Sequence, residues 1–375
     1  LTMAAILLGA TACSDGGGGE QDSSHQCENE WDAWATGGAG ASVADPPPAG
    51  EARAGTIASA ADVPHGVKDQ AAVGDIMMRN GKVVFVIEQA GDPGTYSSDG
   101  FQPFGGGIVY ADLVGADGEP MGVSDFGESF HGIALRLLDP GSTSEPGSVT
   151  VLADGSDGGD AVVRVVGEMK NMPLLDVGVG CFFESSDGTE YVMDYVLGPE
   201  AEFLEIRFQI RNPIDSYVYL SLIVMGAIQG DGLALFSGDG GFDQDAMNGT
   251  HDMFGHVGAD VSYGWIDAEG EGLSYALVES GILVVQKGRS VQLEACTETE
   301  LRVVRLVVAG GGAEELLAAA RRSTGVAEPP EVTFEVTEAG GGAVAGARVH
   351  VTAGDGSYVT SIIAGPDGEW TAWIE

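Results

Sequence analysis

The sequence predicts an all-β protein: a large antiparallel β-sandwich with one short helix, followed by a partial Ig-like β-sandwich. Gly occurs 60 times in 375 residues and hydrophobic residues make up 44%, a mixture suited to many short strands joined by tight turns. Apolar and polar residues alternate along the strand-like runs, as in Leu204-Glu205-Ile206-Arg207-Phe208, which marks half-buried antiparallel strands. Parallel strands would need a helix between them, and only residues 313–322 (AEELLAAARR) read as one. Acids open that segment and arginines close it, matching the helix dipole.

The chain opens with a short apolar run, residues 3–12 (MAAILLGATA), ending in small residues just before Cys13. The run is too short to span a bilayer and reads as the h-region and cleavage site of an export signal. Cys13 in that place resembles the lipobox of bacterial lipoproteins, whose thiol receives a diacylglycerol. Ala10 stands where Leu is usual, and no Lys or Arg precedes Cys13. Residues 1–13 are therefore expected to export the protein to the bacterial cell envelope and to hold it on a membrane by lipid. Residues 14–60 are rich in Gly, Ala, Pro and acids, and are expected to form a flexible tether. With Cys13 given to lipid, Cys27, Cys181 and Cys296 remain, and an oxidising compartment permits one bridge. Cys181 and Cys296 lie in strand-like runs of one domain and form the expected pair; free thiols are the alternative.

The large sandwich is expected over residues 61–325. Residues 82–88 (KVVFVIE) follow Asn80-Gly81, a pair that supplies the positive φ values of a tight primed turn. Residues 107–114 precede Asp117-Gly118, a second hairpin signal. Further strands are expected at 148–152, 161–168, 191–197, 203–211, 217–225, 274–278, 283–286 and 301–308. A Pro-containing linker, 326–331, leads to the second module at 332–375.

In that module Val344, Gly346, Ala347, Val349 and Val351, followed by Asp367-Gly368, resemble the opening strands of a carboxypeptidase-regulatory-like module. Despite its name that module is a non-catalytic Ig-like sandwich, and here it is expected to be truncated. Residues 74–80 (GDIMMRN), 83–87, 104–109 and 204–208 with Asn212 resemble an accessory β-sandwich of galactose-mutarotase type. The order of the two resembles the layout found upstream of metallohydrolases of the polymerase-and-histidinol-phosphatase superfamily. The His-rich metal motifs of such hydrolases are absent from these 375 residues. The resemblance therefore implies a non-catalytic accessory region that presents a downstream domain; the alternative is a carbohydrate-binding or carbohydrate-active domain.

The charge of −41, from 57 acids against 16 bases, excludes nucleic acid, which needs clustered Lys and Arg. No Walker A, HExxH or GxSxG motif occurs. Residues 236–252 (FSGDGGFDQDAMNGTHD) gather Asp239, Asp243 and Asp245 on one Gly-broken loop, the kind of oxygen ligands that Ca²⁺ takes. Met247 stands where an EF-hand has an oxygen, so a solvated loop is the favoured reading and Ca²⁺ the alternative; no cofactor is required. For a sugar ligand the candidates are Trp265 and His256, with Tyr263 and His251 beside them, and Glu128 with His131. For each histidine an ordinary loop or surface residue is the favoured reading, and no catalytic residue is assigned.

Overall fold

The computed structural model describes residue 27 and residues 31–68, 70–91, 104–133, 136–140, 148–171, 190–227, 233–243, 248–279, 282–327 and 330–373. Strands β1 (Arg53–Thr56), β2 (Ile76–Arg79), β3 (Val83–Ile87) and β4 (Ile108–Leu113) form an antiparallel meander that β5 (Glu128–Ile133) and β6 (Arg136–Asp139) extend. β7 (Val149–Asp154) and β8 (Ala161–Val166) open a second sheet, while β9 (Glu168–Asn171) returns to pair with β6. β10 (Glu190–Leu197) and β11 (Phe203–Arg211) join the second sheet; β12 (Val218–Ala227) crosses back to β5. β13 (Ala234–Ser237), β14 (Thr250–His251), β15 (Met253–Val257) and β16 (Val261–Asp267) follow. β17 (Leu273–Glu279) and β18 (Ile282–Leu293) pair in the first sheet, and β19 (Glu298–Gly310) lies between β16 and β11 in the second. After helix α1 (Ala313–Thr324), strands β20 (Glu331–Glu335), β21 (Arg348–Thr352), β22 (Tyr358–Ile363) and β23 (Glu369–Trp373) form two separate pairs. The described residues thus make an all-β sandwich of an eleven-stranded and an eight-stranded antiparallel sheet with one helix.

Alternation explains the layers. Along β11, Leu204, Ile206, Phe208 and Ile210 enter the core between the sheets. Glu205 and Arg207 point the other way and pair with each other at 2.6 Å. On β2, Ile76 and Met78 enter the same core, but Met77 belongs to a second apolar cluster on the outer side of its sheet. A third cluster lies under α1, where Leu316 and Leu317 pack against Phe236, Met253 and Val307. Gly255 and Gly264 pair across β15 and β16 and let the helix approach. A Cβ on Gly255 would stand 2.2 Å from the Tyr263 carbonyl oxygen and 3.2 Å from Leu316. Gly255→Ala is therefore expected to lower the melting temperature, with an overpacking cost of about 1–3 kcal/mol. An unchanged thermal melt would refute the packing argument.

Three sequence expectations need correction. The leader does not remain a free tether throughout: residues 31–60 belong to the sandwich. Trp31 and Trp34 sit over the Arg211 guanidinium, at 5.9 and 3.5 Å from ring centre to Cζ. Gly38 bridges to Val151 on edge strand β7, and Gly40 bridges to Gly55 on edge strand β1. Val43, Ala52, Ala54 and Ile57 are buried. The glycines serve close approach rather than flexibility, since a Cβ on Gly37 or Gly55 would lie 1.8 Å from a backbone oxygen. The leader so covers one edge of each sheet, β7 and β1, which would otherwise invite pairing with another chain.

The Asn80-Gly81 turn is not of the primed kind, because neither residue has a positive φ. Asn80 works through its side chain: Oδ1 accepts from the amides of Lys82 and Val83, at 2.8 and 3.0 Å. Its Nδ2 donates to the carbonyls of Gly198 and Ala201, both at 2.8 Å, joining the hairpin to the opposite sheet. The disulfide is also different: Cys296 bonds Cys27, not Cys181. Cys296 lies in the β18–β19 turn rather than in a strand, at the end of the sandwich where the leader enters. Cys181, Cys13 and Asp245 lie outside the described residues.

Candidate functional site

The residues singled out for a sugar site lie inside the sandwich. Trp265 stands on β16 between Phe254 and Leu306, completely buried in the inter-sheet core, so neither ring face is open to a ligand. His256 is buried beside it, edge-on at 6.0 Å between ring centres, and burial lowers its pKa to about 4. Trp265 and His256 are therefore core residues, which corrects their reading as ligand-binding groups. Tyr263 is equally buried; its hydroxyl donates to the Ala111 carbonyl at 3.2 Å and accepts from the Asp125 amide at 3.1 Å, joining the two sheets.

His131 is also buried, 6.3 Å from the Tyr195 ring across the sheets. Neither ring nitrogen has a hydrogen-bond partner, and desolvation lowers its pKa to about 3. Glu128 lies three positions earlier on the same strand, and alternation turns it to the opposite face. The two cannot share a reacting group.

The acidic loop divides likewise. Asp239 contacts the His251 Nδ1, and the imidazole itself is buried against Phe254. Asp243 follows on the loop, whereas Asp245 lies outside the described residues. Among the described residues no group of three or more His, Cys, Asp or Glu side chains is placed to hold a metal ion.

A cleft on the outer side of the first sheet is the strongest candidate that the sequence reading missed. It measures about 330 Å³ and lies between residues 61–65, residues 119–122 and β2. Val63, Pro64, Met77 and Pro120 give it apolar walls; Asp62, Arg79 and Glu119 give it charge. Arg79 ends β2 on the outward side of the sheet and is 2% exposed. Its guanidinium donates to the carbonyls of Val43 (3.3 Å) and Gly118 (2.5 Å) and pairs with the Glu119 carboxylate at 3.4 Å. Behind the 120–123 wall, the Asp112 carboxylate accepts from the amides of Gly122 (2.8 Å) and Val123 (3.1 Å) and from the Tyr110 hydroxyl (2.9 Å). Desolvation pushes the Asp112 carboxyl upward against those bonds. The signal in the sequence was Arg79 itself, a cation closing an apolar strand. Val43 and Ala44, which help to cover it, lie in the Gly- and Pro-rich stretch expected to be tether.

No family model matches the chain, and no curated protein matches it. Among solved structures it is similar to a TPR-domain-containing protein of Parabacteroides distasonis, at 12% identity and a TM-score of 0.37, covering 62% of this chain and 46% of that one. It is also similar to the Slr1438 protein of Synechocystis, at 12% identity and a TM-score of 0.35, covering 60% of this chain and 91% of the other. A third is the family 36 α-galactosidase AgaA of Geobacillus stearothermophilus, at 11% identity and a TM-score of 0.32, covering 64% and 41%. The class that the fold itself defines is a large two-sheet antiparallel β-sandwich.

Proposed function

We propose that the protein is an exported lipoprotein of the bacterial envelope, a non-catalytic accessory region that holds a neighbouring domain off the membrane. The observation that carries this reading is the Cys27–Cys296 disulfide. Such a bond persists in the oxidising spaces outside the cytosol, and it lies 14 positions after Cys13, the expected lipid site. The bridge fastens the anchored end of the chain directly to the sandwich. At the other end, Tyr358 of β22 packs edge-on against Phe236 at 5.6 Å, so the C-terminal strands ride on the helix layer. Gly241 makes room for that ring, since a Cβ there would meet it at 2.5 Å. In this reading the sandwich is a stiff spacer between lipid and whatever the C-terminal module adjoins, including a metallohydrolase domain of the kind that the resemblance implies. Among the described residues no helix is long and apolar enough to cross a membrane, and a lipid on Cys13 supplies the attachment. Detergent is expected to be needed to extract the wild-type protein from membranes, and Cys13→Ser is expected to release it. Wild-type protein recovered in the soluble fraction would end this reading.

A second reading, carbohydrate binding, draws on the Arg79 cleft rather than on Trp265. Carboxylates and a guanidinium beside apolar walls, in a cleft of about 330 Å³, suit a small neutral polyol. Titration with monosaccharides followed by calorimetry is expected to show millimolar binding that Asp62→Ala weakens. Equal heats for wild type and variant would leave only the accessory-region reading.

A further inference from the structure

We propose that the end of the sandwich carrying Tyr217 and Tyr219 rests on the lipid–water interface of the membrane to which the protein is tethered. The inference builds on the lipid-anchor reading above. Among the described residues, Asn212 joins two loops at this end, β11–β12 and β18–β19. Its Nδ2 donates to the carbonyls of Ser216 (2.8 Å) and Glu294 (2.9 Å), one in each loop, and the residue is fully buried. The disulfide adds the leader to the same end. The Cys27 amide donates to the Pro213 carbonyl at 2.7 Å, and the Cys296 amide to the Ile214 carbonyl at 3.1 Å.

From this braced end two aromatic rings project. Tyr217 is 58% exposed and Tyr219 60%, while Leu220 turns into the core. They share a face two residues apart, with ring centres 5.4 Å from each other. Two large rings exposed side by side keep apolar surface in water, and covering that surface is favourable. The length of chain between lipid and bridge selects the occupant. From Cys13 to Cys27 there are 14 steps, so a fully extended strand reaches at most about 50 Å. A flexible Gly/Ser-rich chain of that length has a root-mean-square span of about 20 Å. The tyrosine end is thus the end held nearest the bilayer.

A phenol suits the headgroup layer, with an apolar ring and a polar tip that prefer a boundary. The charge selects the lipid. Asp215 is exposed beside the pair, and the chain carries −41 overall, so an anionic surface repels this end. The interface is therefore zwitterionic, and the contact is made by rings rather than by charge.

Nitration by tetranitromethane, read by peptide mass spectrometry, tests the contact at each tyrosine. The lipidated full chain is compared on phosphatidylcholine vesicles and in detergent-free solution as Cys13→Ser. A third sample, residues 14–375 with an N-terminal hexahistidine, is held on the same vesicles doped with nickel-chelating lipid, which supplies a tether independently of natural lipidation. Nitration of Tyr217 and Tyr219 is expected to fall about tenfold in both vesicle samples, equivalent to about 1.4 kcal/mol of contact. Vesicles containing phosphatidylglycerol should give less protection. Undiminished nitration on nickel-bearing vesicles overturns the proposal. So does protection that develops without vesicles as protein concentration rises, which assigns the rings to a second copy. Protection on nickel-bearing vesicles, with the natural chain failing to sediment, upholds the surface and removes only the anchor.

Discussion

Reduction of the Cys27–Cys296 bridge is expected to lower the unfolding free energy by about 2–5 kcal/mol, the usual range for loss of a native disulfide. The bond closes a loop with a sequence separation of 269 residues, so its loss returns a large closure entropy to the unfolded chain. The native state loses order as well. Cys27 is the point where the leader joins the β11–β12 and β18–β19 loops, and the next described stretch carries Trp31 and Trp34 onto Arg211. Arg211 also pairs with Glu298 at 2.8 Å and donates to the Asp32 carbonyl at 2.8 Å. Freeing Cys27 loosens the cover over the second sheet. Thermal melts with and without reductant, and of Cys27→Ser, measure the effect. Identical melts in all three samples would show that the leader holds its place unaided.

The second large effect is acid instability with a histidine signature. His131 and His256 are buried and neutral, with pKa values lowered to about 3 and about 4 by desolvation. In the unfolded chain each returns to about 6.5. Below that pH the unfolded state takes up protons that the folded state refuses, so stability is complete above pH 6.5 and falls as pH drops toward 4. At about 1.4 kcal/mol per pKa unit, the two together remove several kcal/mol across that window. The carboxylates titrate mainly lower. Burial raises Asp75 and Asp112, so their protonation favours the folded state and softens the decline only at its acid end. Glu205, held below its usual range by the hydrogen bonds and charges of Arg207 and Arg305 despite burial, adds to the loss there. His131→Phe removes both the proton trap and two unpartnered ring nitrogens, each costing about 1–3 kcal/mol when buried. The variant is expected to melt higher at pH 7 and to widen its advantage at pH 5. An advantage that does not grow on acidification would refute the linkage.

Much of the fold was legible because alternation is a local code. Residues 203–211 place Leu204, Ile206, Phe208 and Ile210 inward without help from any distant contact. The helix was legible for the same reason. Its predicted start at Ala313 is its observed start, and Gly325 ends it with the left-handed turn that glycine permits. The site was much less legible. A histidine or tryptophan in a strand has the same letter whether it faces core or solvent. Trp265 and His256 looked chemically promising, but β15 and β16 lie in the interior of the second sheet, where the first sheet covers them.

The sequence by itself determined the all-β class, the strand faces and the helix, because each depends on the spacing of side chains within a few residues. The tertiary structure alone decided three things. It showed that the Gly-rich stretch after residue 31 is a close-packed strap across two sheet edges. It joined Cys27 to Cys296, 269 positions apart. It also buried Arg79 at the floor of a cleft whose walls come from residues 43–44, 61–65 and 119–122. Each is a meeting of distant segments, set by which surfaces fit once the sheets have stacked. Composition read the glycines of the strap as freedom; packing gave them the opposite role, since only a residue without Cβ can lie flush against Val151 and Ala41.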